Sequence, residues 1–149
     1  MKYLCLDVGD RRVGVATGDS DLRIATPVDV FTRISIQQDA RAIADLARNY
    51  DATRLVIGLP RNMDGTQGTQ AESVIEYAEE ISDAIRLPVL FWDERLTTVE
   101  ATRRTQESQS LTQKPRSARR GKKVKRTLDA IAASVILQDF LDSQKNETS

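Results

Sequence analysis

The sequence contains no histidine, one cysteine and few aromatic residues, which make up 5% of the chain. The lack of histidine excludes Ser-His and Cys-His nucleophilic catalysis, histidine-ligated zinc and ribonuclease chemistry based on paired histidines. Cys5 cannot form an internal disulfide, and its position in an apolar run favours a role as a small core residue. Any chemistry must therefore come from carboxylates, lysine, tyrosine, hydroxyls or a metal-bound water.

Long apolar runs are also missing. No stretch of about 18 or more apolar residues occurs, so we expect no membrane span. The start of the chain has one lysine and a short apolar stretch that contains Asp7, which does not fit a secretory signal. With 149 residues, 40% hydrophobic and 30% charged, the chain is predicted to be a soluble, cytoplasmic protein with a single domain over 1–149.

Apolar periodicity predicts three strands, then helix, strand, helix, strand and helix. The first three strands are expected to form an antiparallel meander. Capping boxes are predicted for Ser35 with Gln38 and for Thr69 with Glu72. The predicted strands cover about 3–8, 12–16, 24–31, 54–59 and 88–92, helices begin near 35, 69 and 97, the last helix covers about 125–141, and 143–149 is expected to be a frayed tail.

This order predicts an α/β fold with a mixed five-stranded sheet and helices on both faces. Strands joined through helical crossovers should be parallel, and ligand sites collect beyond their carboxyl ends. Asp7 lies near the end of the first strand, and Asp93 and Glu94 follow the fifth. If these strands end at the same edge of the sheet, their carboxylates can meet.

A buried carboxylate such as Asp7 costs several kcal/mol unless it has a partner, such as an arginine, backbone amides or a metal ion. Asp129, on the last helix, lies at the margin of a buried stripe that includes Ala132, Ala133 and Ile136. Its alternative role is that of a helix N-terminal acid that interacts with the macrodipole. Several converging carboxylates would repel one another without a cation, and all-oxygen ligation suits Mg²⁺ or Mn²⁺. Such ions activate water for phosphodiester hydrolysis.

Positive charge is concentrated in one segment, while the rest of the chain is acidic. We expect a mobile basic loop over 108–126, which is either a solvated loop or an arm that binds nucleic-acid phosphates. Arg12 and Arg95 are each expected either to contact phosphate or to be the structural partner of Asp7 or Asp93. The basic residues of the arm are Lys114, Arg116, Arg119, Arg120, Lys122, Lys123, Lys125 and Arg126.

Four segments together resemble the YqgF (RuvX) family, in the same order and over nearly the whole chain. They are LDVG with RVGVA at 6–16, VIGLP with NMDGT at 56–66, DERLTT at 93–98 and DAIAA at 129–133. The resemblance implies a ribonuclease H-like fold and a cytoplasmic bacterial nuclease that matures the 5′ end of pre-16S rRNA, related to Holliday junction resolvases.

The same resemblance implies that Asp7, Glu94 and Asp129 are catalytic and that they bind the metal together with Asp93. The strand that ends at 58–60 has no acid at its tip, so the second carboxylate must come from the next strand. Precursor rRNA is the expected substrate, ribosomal particles are candidate partners, and the protein is expected to be a monomer or a homodimer.

Two other functions stay open. One is a resolvase that cleaves branched DNA, because the same chemistry serves either sugar. The other is a nucleic-acid-binding module that has lost catalysis. An actin-like sugar kinase also begins with a D-x-G strand, but this chain is too short for its two lobes.

Overall fold

The computed structural model describes residues 1–60, 68–94 and 118–147, with the side chains of the last segment described for 128–144. Within these ranges the order of strands and helices matches the predicted order. The elements are β1 Lys2–Val8, β2 Arg12–Asp19, β3 Ile24–Thr32, α1 Ile36–Asn49, β4 Arg54–Leu59, α2 Thr69–Ile85, β5 Val89–Asp93 and α3 Ala118–Glu147.

The five strands form one mixed sheet in the order β3-β2-β1-β4-β5. β1 pairs with β2, and β2 with β3, in antiparallel fashion, which confirms the predicted meander. β4 runs parallel to both β1 and β5, as expected for strands joined through helices. The carboxyl ends of β1, β4 and β5 therefore lie at the same edge of the sheet.

Helices cover both faces of the sheet, and β1 shows how the sequence sets the two faces. Leu4, Leu6 and Val8 belong to the core that packs against α1 and α2. Tyr3 and Cys5 alternate with them and pack in the core built around α3. Because side chains alternate along a strand, Asp7 lies on the α3 face of the sheet.

The two predicted capping boxes had different outcomes. The Ser35 side chain accepts a hydrogen bond from the Gln38 backbone N–H at 3.2 Å, so the predicted start of α1 is confirmed. The prediction for α2 was wrong: its N-cap is Gly68, and no side chain caps it. Thr69 is already helical, which leaves it no capping position.

α3 is longer at both ends than predicted. It begins at Ala118, so 118–126, the second part of the predicted basic loop, has a helical backbone. A single glycine, Gly121, costs a helix only about 1 kcal/mol relative to alanine, and its alanine, arginine and lysine neighbours are strong helix formers. The remainder of the predicted loop, 108–117, lies outside the described residues, as does the helix predicted near 97.

The predicted frayed tail is also wrong for 143–147, because α3 continues to Glu147. The Ser143 hydroxyl donates to the Phe140 carbonyl at 2.7 Å, and the Gln144 amide donates to the Tyr3 hydroxyl at 3.3 Å, which attaches the end of α3 to β1. No helix in the described ranges is long and apolar enough to cross a bilayer.

Candidate active site

Asp7 occupies the central strand of the sheet, one residue before the carboxyl end of β1. Its exposure is only 7%, although the residue is charged. In the sheet it lies directly opposite Gly14 of β2. The register of the strands therefore sets the position of the Asp7 carboxylate on the face of the sheet that α3 covers.

Gly14 brings α3 into direct contact with the sheet beside Asp7. A Cβ atom at Gly14 would lie 2.1 Å from the backbone carbonyl oxygen of Asp129, far closer than real Cβ contacts allow. Ala132 and Ala133, on the next turn, are buried. The missing side chain of Gly14 therefore places the backbone of Asp129 next to the strand position that faces Asp7.

Glu94 comes directly after β5 and reaches back over β4. A Cβ atom at Gly58 would lie 2.9 Å from Glu94 Oε1 and 2.6 Å from Ile136 Cδ1 on α3. Because β4 lies between β5 and β1, this contact brings the Glu94 carboxylate towards the centre of the sheet on the α3 face. A glycine at 58 is thus needed for packing, and it opens the path of Glu94 across the strand.

The electrostatics at Cys5 show that Asp7 and Glu94 act on the same region. Burial, followed by the negative charges of Asp7 and Glu94, raises the pKa of the Cys5 thiol well above its usual value. Both carboxylates therefore lie within electrostatic range of a residue on the α3 face. The thiol is fully buried and neutral, consistent with the predicted core role.

Asp93 belongs to the other face of the sheet. It follows Val89 by four residues along β5, and Val89 packs against the core of α1 and α2. Strand alternation therefore places Asp93 on the face opposite Asp7. Of the two acids predicted at this strand end, Glu94 is the one that the fold brings towards Asp7.

Asp129 forms an ion pair with Arg12. The Arg12 Nε donates to Asp129 Oδ2 at 2.8 Å, and the two side chains are 32% and 30% exposed. The structure thus pairs Arg12 with Asp129, whereas the sequence predicts for Arg12 either a phosphate contact or a pairing with Asp7 or Asp93. The alternative role of Asp129 as a helix N-terminal acid is wrong, because α3 begins at Ala118, three turns earlier.

The donor chemistry of the acids suits a hard divalent ion, since every predicted ligand offers carboxylate oxygens. Their arrangement does not complete such a site: among the residues that the structure describes, no group of three or more acidic or cysteine side chains is placed to hold a metal ion. Asp7 and Glu94 converge, Asp93 is directed elsewhere, and the carboxylate of Asp129 contacts Arg12. The fold thus assembles part of the predicted metal site.

Of the residues predicted to contact nucleic acid, Arg12 is the one whose side chain lies within the described part of the structure. Arg95, Lys114 and Arg116 lie outside the described residues. The other six basic residues of the arm lie on the helical backbone of α3, in the turns that precede Asp129. They are Arg119, Arg120, Lys122, Lys123, Lys125 and Arg126.

A second buried acid, Asp39, was not anticipated from the sequence. It is 3% exposed, and it accepts hydrogen bonds from the Tyr77 hydroxyl at 2.9 Å and from the Ile34 backbone at 3.0 Å. Arg33 stacks over the Tyr77 ring at 4.3 Å and donates to the Gly9 carbonyl at 2.8 Å. This network ties the turn after β1 to α1 and α2. No local pattern signals it, because Tyr77 lies 38 positions from Asp39, and Gly9 lies 24 positions from Arg33.

Solved structures with a similar overall fold define the class of the fold. The chain is similar to Thermus thermophilus RuvC in complex with a Holliday junction, with a TM-score of 0.54, 10% identity and coverage of 97% of this chain and 96% of that one. It is also similar to the fowlpox virus resolvase bound to Holliday junction DNA, with a TM-score of 0.55, 10% identity and coverage of 97% and 99%. The protein has the ribonuclease H-like fold of RuvC-type resolvases, as expected.

The family follows from sequence. A family model described as "RuvX: Holliday junction resolvase" matches residues 1–143, and the chain belongs to this family. A protein of Caldanaerobacter subterraneus named "Putative pre-16S rRNA nuclease" is 42% identical over 146 residues, which cover 98% of this chain and 99% of that protein. A protein of the same name from Chloroflexus aurantiacus is 43% identical, with coverage of 96% and 88%. The predicted resemblance to the YqgF (RuvX) family is confirmed.

Proposed function

We propose that this protein is a nuclease that hydrolyses phosphodiester bonds of precursor 16S rRNA during maturation of its 5′ end. Membership of the RuvX family and relatives with the name given above, at about 40% identity over nearly the full chain, support this function. The enzyme is a hydrolase that acts on nucleic acid.

The structural observation that carries the proposal is the convergence of Asp7 and Glu94 on one face of the sheet, beside the backbone of Asp129. Asp7 is buried at the carboxyl edge, Glu94 crosses β4 over Gly58, and α3 contacts the sheet at Gly14. Ligand sites of α/β sheets are found at this edge. We therefore assign the catalytic roles to Asp7, Glu94 and Asp129.

The positive charge of the helical turns before Asp129 fits a phosphodiester substrate. The chain contains no histidine, and we propose that the carboxylates of the site orient the attacking water. The turns of α3 before Asp129 contain six arginines and lysines, which can bind the phosphates of a nucleic acid and guide it to the carboxyl edge. Arg12 and Arg95, together with Lys114 and Arg116, complete the proposed phosphate contacts.

We propose Mg²⁺ or Mn²⁺ as the cofactor, with Asp7 and Glu94 as its first ligands and Asp129 as a further ligand. Asp93, which the sequence also predicts as a ligand, lies on the opposite face of the sheet and is not included. A divalent ion in such a site lowers the pKa of water and neutralises the phosphate charge. The product is expected to carry a 5′-phosphate. The proposed partners are precursor rRNA and the ribosomal particles that contain it. We also propose that the protein acts in the cytoplasm, as a monomer or a homodimer.

Branched DNA is the second candidate substrate, because the matched family is described as a Holliday junction resolvase and the fold is that of RuvC. Cleavage of a precursor 16S rRNA fragment should be compared with cleavage of a four-way DNA junction in Mg²⁺ or Mn²⁺. The rRNA function predicts cleavage of the precursor and an intact junction, and the reverse result would identify a resolvase.

The third candidate, a binding module without catalysis, makes a different prediction. In that case Asp7→Asn would preserve function, whereas replacement of Arg119, Arg120, Lys122 and Lys123 by glutamine would abolish it. The nuclease proposal requires both proteins to lose cleavage, and only the second to lose affinity for rRNA.

A further inference from the structure

The ion pair between Arg12 and Asp129 joins two groups that the proposed function needs for different tasks. Asp129 is a proposed metal ligand, and Arg12 is a proposed phosphate contact. In the structure they contact each other, with 2.8 Å between Arg12 Nε and Asp129 Oδ2. The two residues are 117 positions apart in the sequence, so the fold itself creates this contact.

The backbone of Asp129 has little freedom, whereas its carboxylate can turn. The carbonyl of Asp129 packs against Gly14, opposite Asp7, and leaves no room for even one methyl group. The side chain is 30% exposed, and its contact to Arg12 uses one oxygen and one nitrogen. Rotation about the side-chain bonds can therefore redirect the carboxylate without movement of the helix.

We infer that Arg12 acts as a built-in competitor of the divalent cation: it holds the Asp129 carboxylate in the metal-free protein and releases it when the ion binds at Asp7 and Glu94. This inference rests on the proposed function. The backbone of Asp129 lies beside Gly14, the residue opposite Asp7. The pairing of its carboxylate with Arg12 explains why the described acids nevertheless form no group of three or more that is placed to hold a metal.

The contact is suited to exchange. An ion pair with a single hydrogen bond between two side chains, each about one third exposed, is much weaker than a buried bidentate pair. A divalent ion close to two carboxylates attracts a third more strongly than one guanidinium does. The released Arg12 lies at the start of β2, near the carboxyl edge of β1, where a substrate phosphate can take the place of Asp129.

Calorimetric titration of Mn²⁺ into the full-length protein, with no nucleic acid present, tests the inference. The Arg12→Gln protein should bind Mn²⁺ about three- to fivefold more tightly than the unmodified protein, since the ion no longer has to break the pair. Arg11→Gln is the matched control: it removes the same charge one residue earlier, at an exposed position, and should change the affinity less.

A double-mutant cycle separates the specific contact from general charge effects. In the Asp129→Asn background, the Arg12→Gln substitution should no longer tighten Mn²⁺ binding. If Arg12→Gln lacks a cooperative thermal transition, Arg12→Met, which keeps the aliphatic stem, takes its place in the cycle.

Three results would overturn the inference: equal effects of Arg11→Gln and Arg12→Gln, an Arg12 effect that persists without Asp129, or no Mn²⁺ binding to any of the proteins. These outcomes are distinct from failure of the proposed function, which is measured by rRNA cleavage. Unchanged Mn²⁺ affinities with normal cleavage would refute the competition and leave the nuclease proposal intact.

Discussion

Replacement of Gly14 by alanine tests whether close contact between α3 and β2 builds the site. The added Cβ would lie 2.1 Å from the Asp129 carbonyl oxygen and 2.5 Å from its carbon, whereas real Cβ contacts are essentially never under 3.0 Å. The helix must therefore move away from the strand by about 1 Å, and no rotation of a side chain can relieve the clash, because the blocking atoms are backbone.

The expected cost follows from two opposing terms. Overpacking of this kind costs about 3 kcal/mol, the upper end of the usual range, because the contact is rigid. The lower entropy of the unfolded alanine chain offsets about 0.4–1 kcal/mol of this, which leaves a net loss of about 2 kcal/mol. With a urea dependence of about 1–3 kcal/mol per molar, the unfolding midpoint should fall by about 1 M. A shift of Asp129 by about 1 Å should also reduce cleavage by about 100-fold.

Gly18→Ala, on the same strand, is the matched control. Its new Cβ would lie 2.9 Å from Leu137 Cδ2 and 3.1 Å from Leu141 Cδ1, which are movable ends of side chains, and 3.1 Å from the Ile24 carbonyl oxygen. We expect a loss below about 1 kcal/mol and normal cleavage. If urea unfolding of the Gly14→Ala protein matches that of the Gly18→Ala or unmodified protein, the close contact does not exist and the argument for Asp129 fails.

Three further predictions concern single residues. Gly58→Ala should reduce the rate of rRNA cleavage by the protein that remains folded, because the new Cβ displaces the Glu94 carboxylate. A cleavage rate equal to that of the unmodified protein would contradict this role of Gly58. The Tyr77 hydroxyl donates to Asp39, and burial, followed by this carboxylate, raises the pKa of Tyr77 above its usual value of 10.0. The folded state therefore favours the neutral phenol, so its contribution to the free energy of unfolding is complete below about pH 10 and declines as the pH rises above it. Urea titrations at pH 8–11 should show that this free energy falls more steeply with pH in the unmodified protein than in Tyr77→Phe. Parallel pH dependences of the two proteins would refute this. Cys5 should react with a thiol reagent at pH 8 only after unfolding, because its thiol is buried with a raised pKa, and rapid labelling of the native protein would contradict the structure.

The sheet could be predicted from the sequence because its strands have clear local signals. β4 occupies the predicted 54–59, and the meander of β1 to β3 follows from apolar runs separated by turn residues. The start of α1 follows from Ser35, whose side chain caps the helix. These features depend on residues within a few positions of one another, where periodicity and capping are informative.

The contacts that shape the site depend on residues far apart in the sequence. No local pattern indicates that Arg12 pairs with Asp129, that Gly14 receives the helix backbone, or that Asp39 is buried against Tyr77. The predicted start of α3 is wrong: a run of basic residues with one glycine predicts a loop by its charge, but most of its residues favour helix, and the helix begins at Ala118. Tertiary packing, which the local sequence does not encode, creates the contacts of Arg12, Gly14 and Asp39, whereas local helix propensity accounts for the start of α3.

Cleavage of precursor 16S rRNA by Asp7→Asn and Asp10→Asn proteins tests the central claim most directly. Both substitutions remove one negative charge from the same segment, but Asp7 is 7% exposed on the central strand, and Asp10 is exposed. With Mn²⁺ or Mg²⁺ present and folding verified by circular dichroism, Asp7→Asn should lower the cleavage rate by about 100-fold or more, the scale expected for loss of one catalytic group. The Asp10→Asn protein should cleave normally. Equal rates for Asp7→Asn and the unmodified protein would remove Asp7 from the mechanism and contradict the proposed active site.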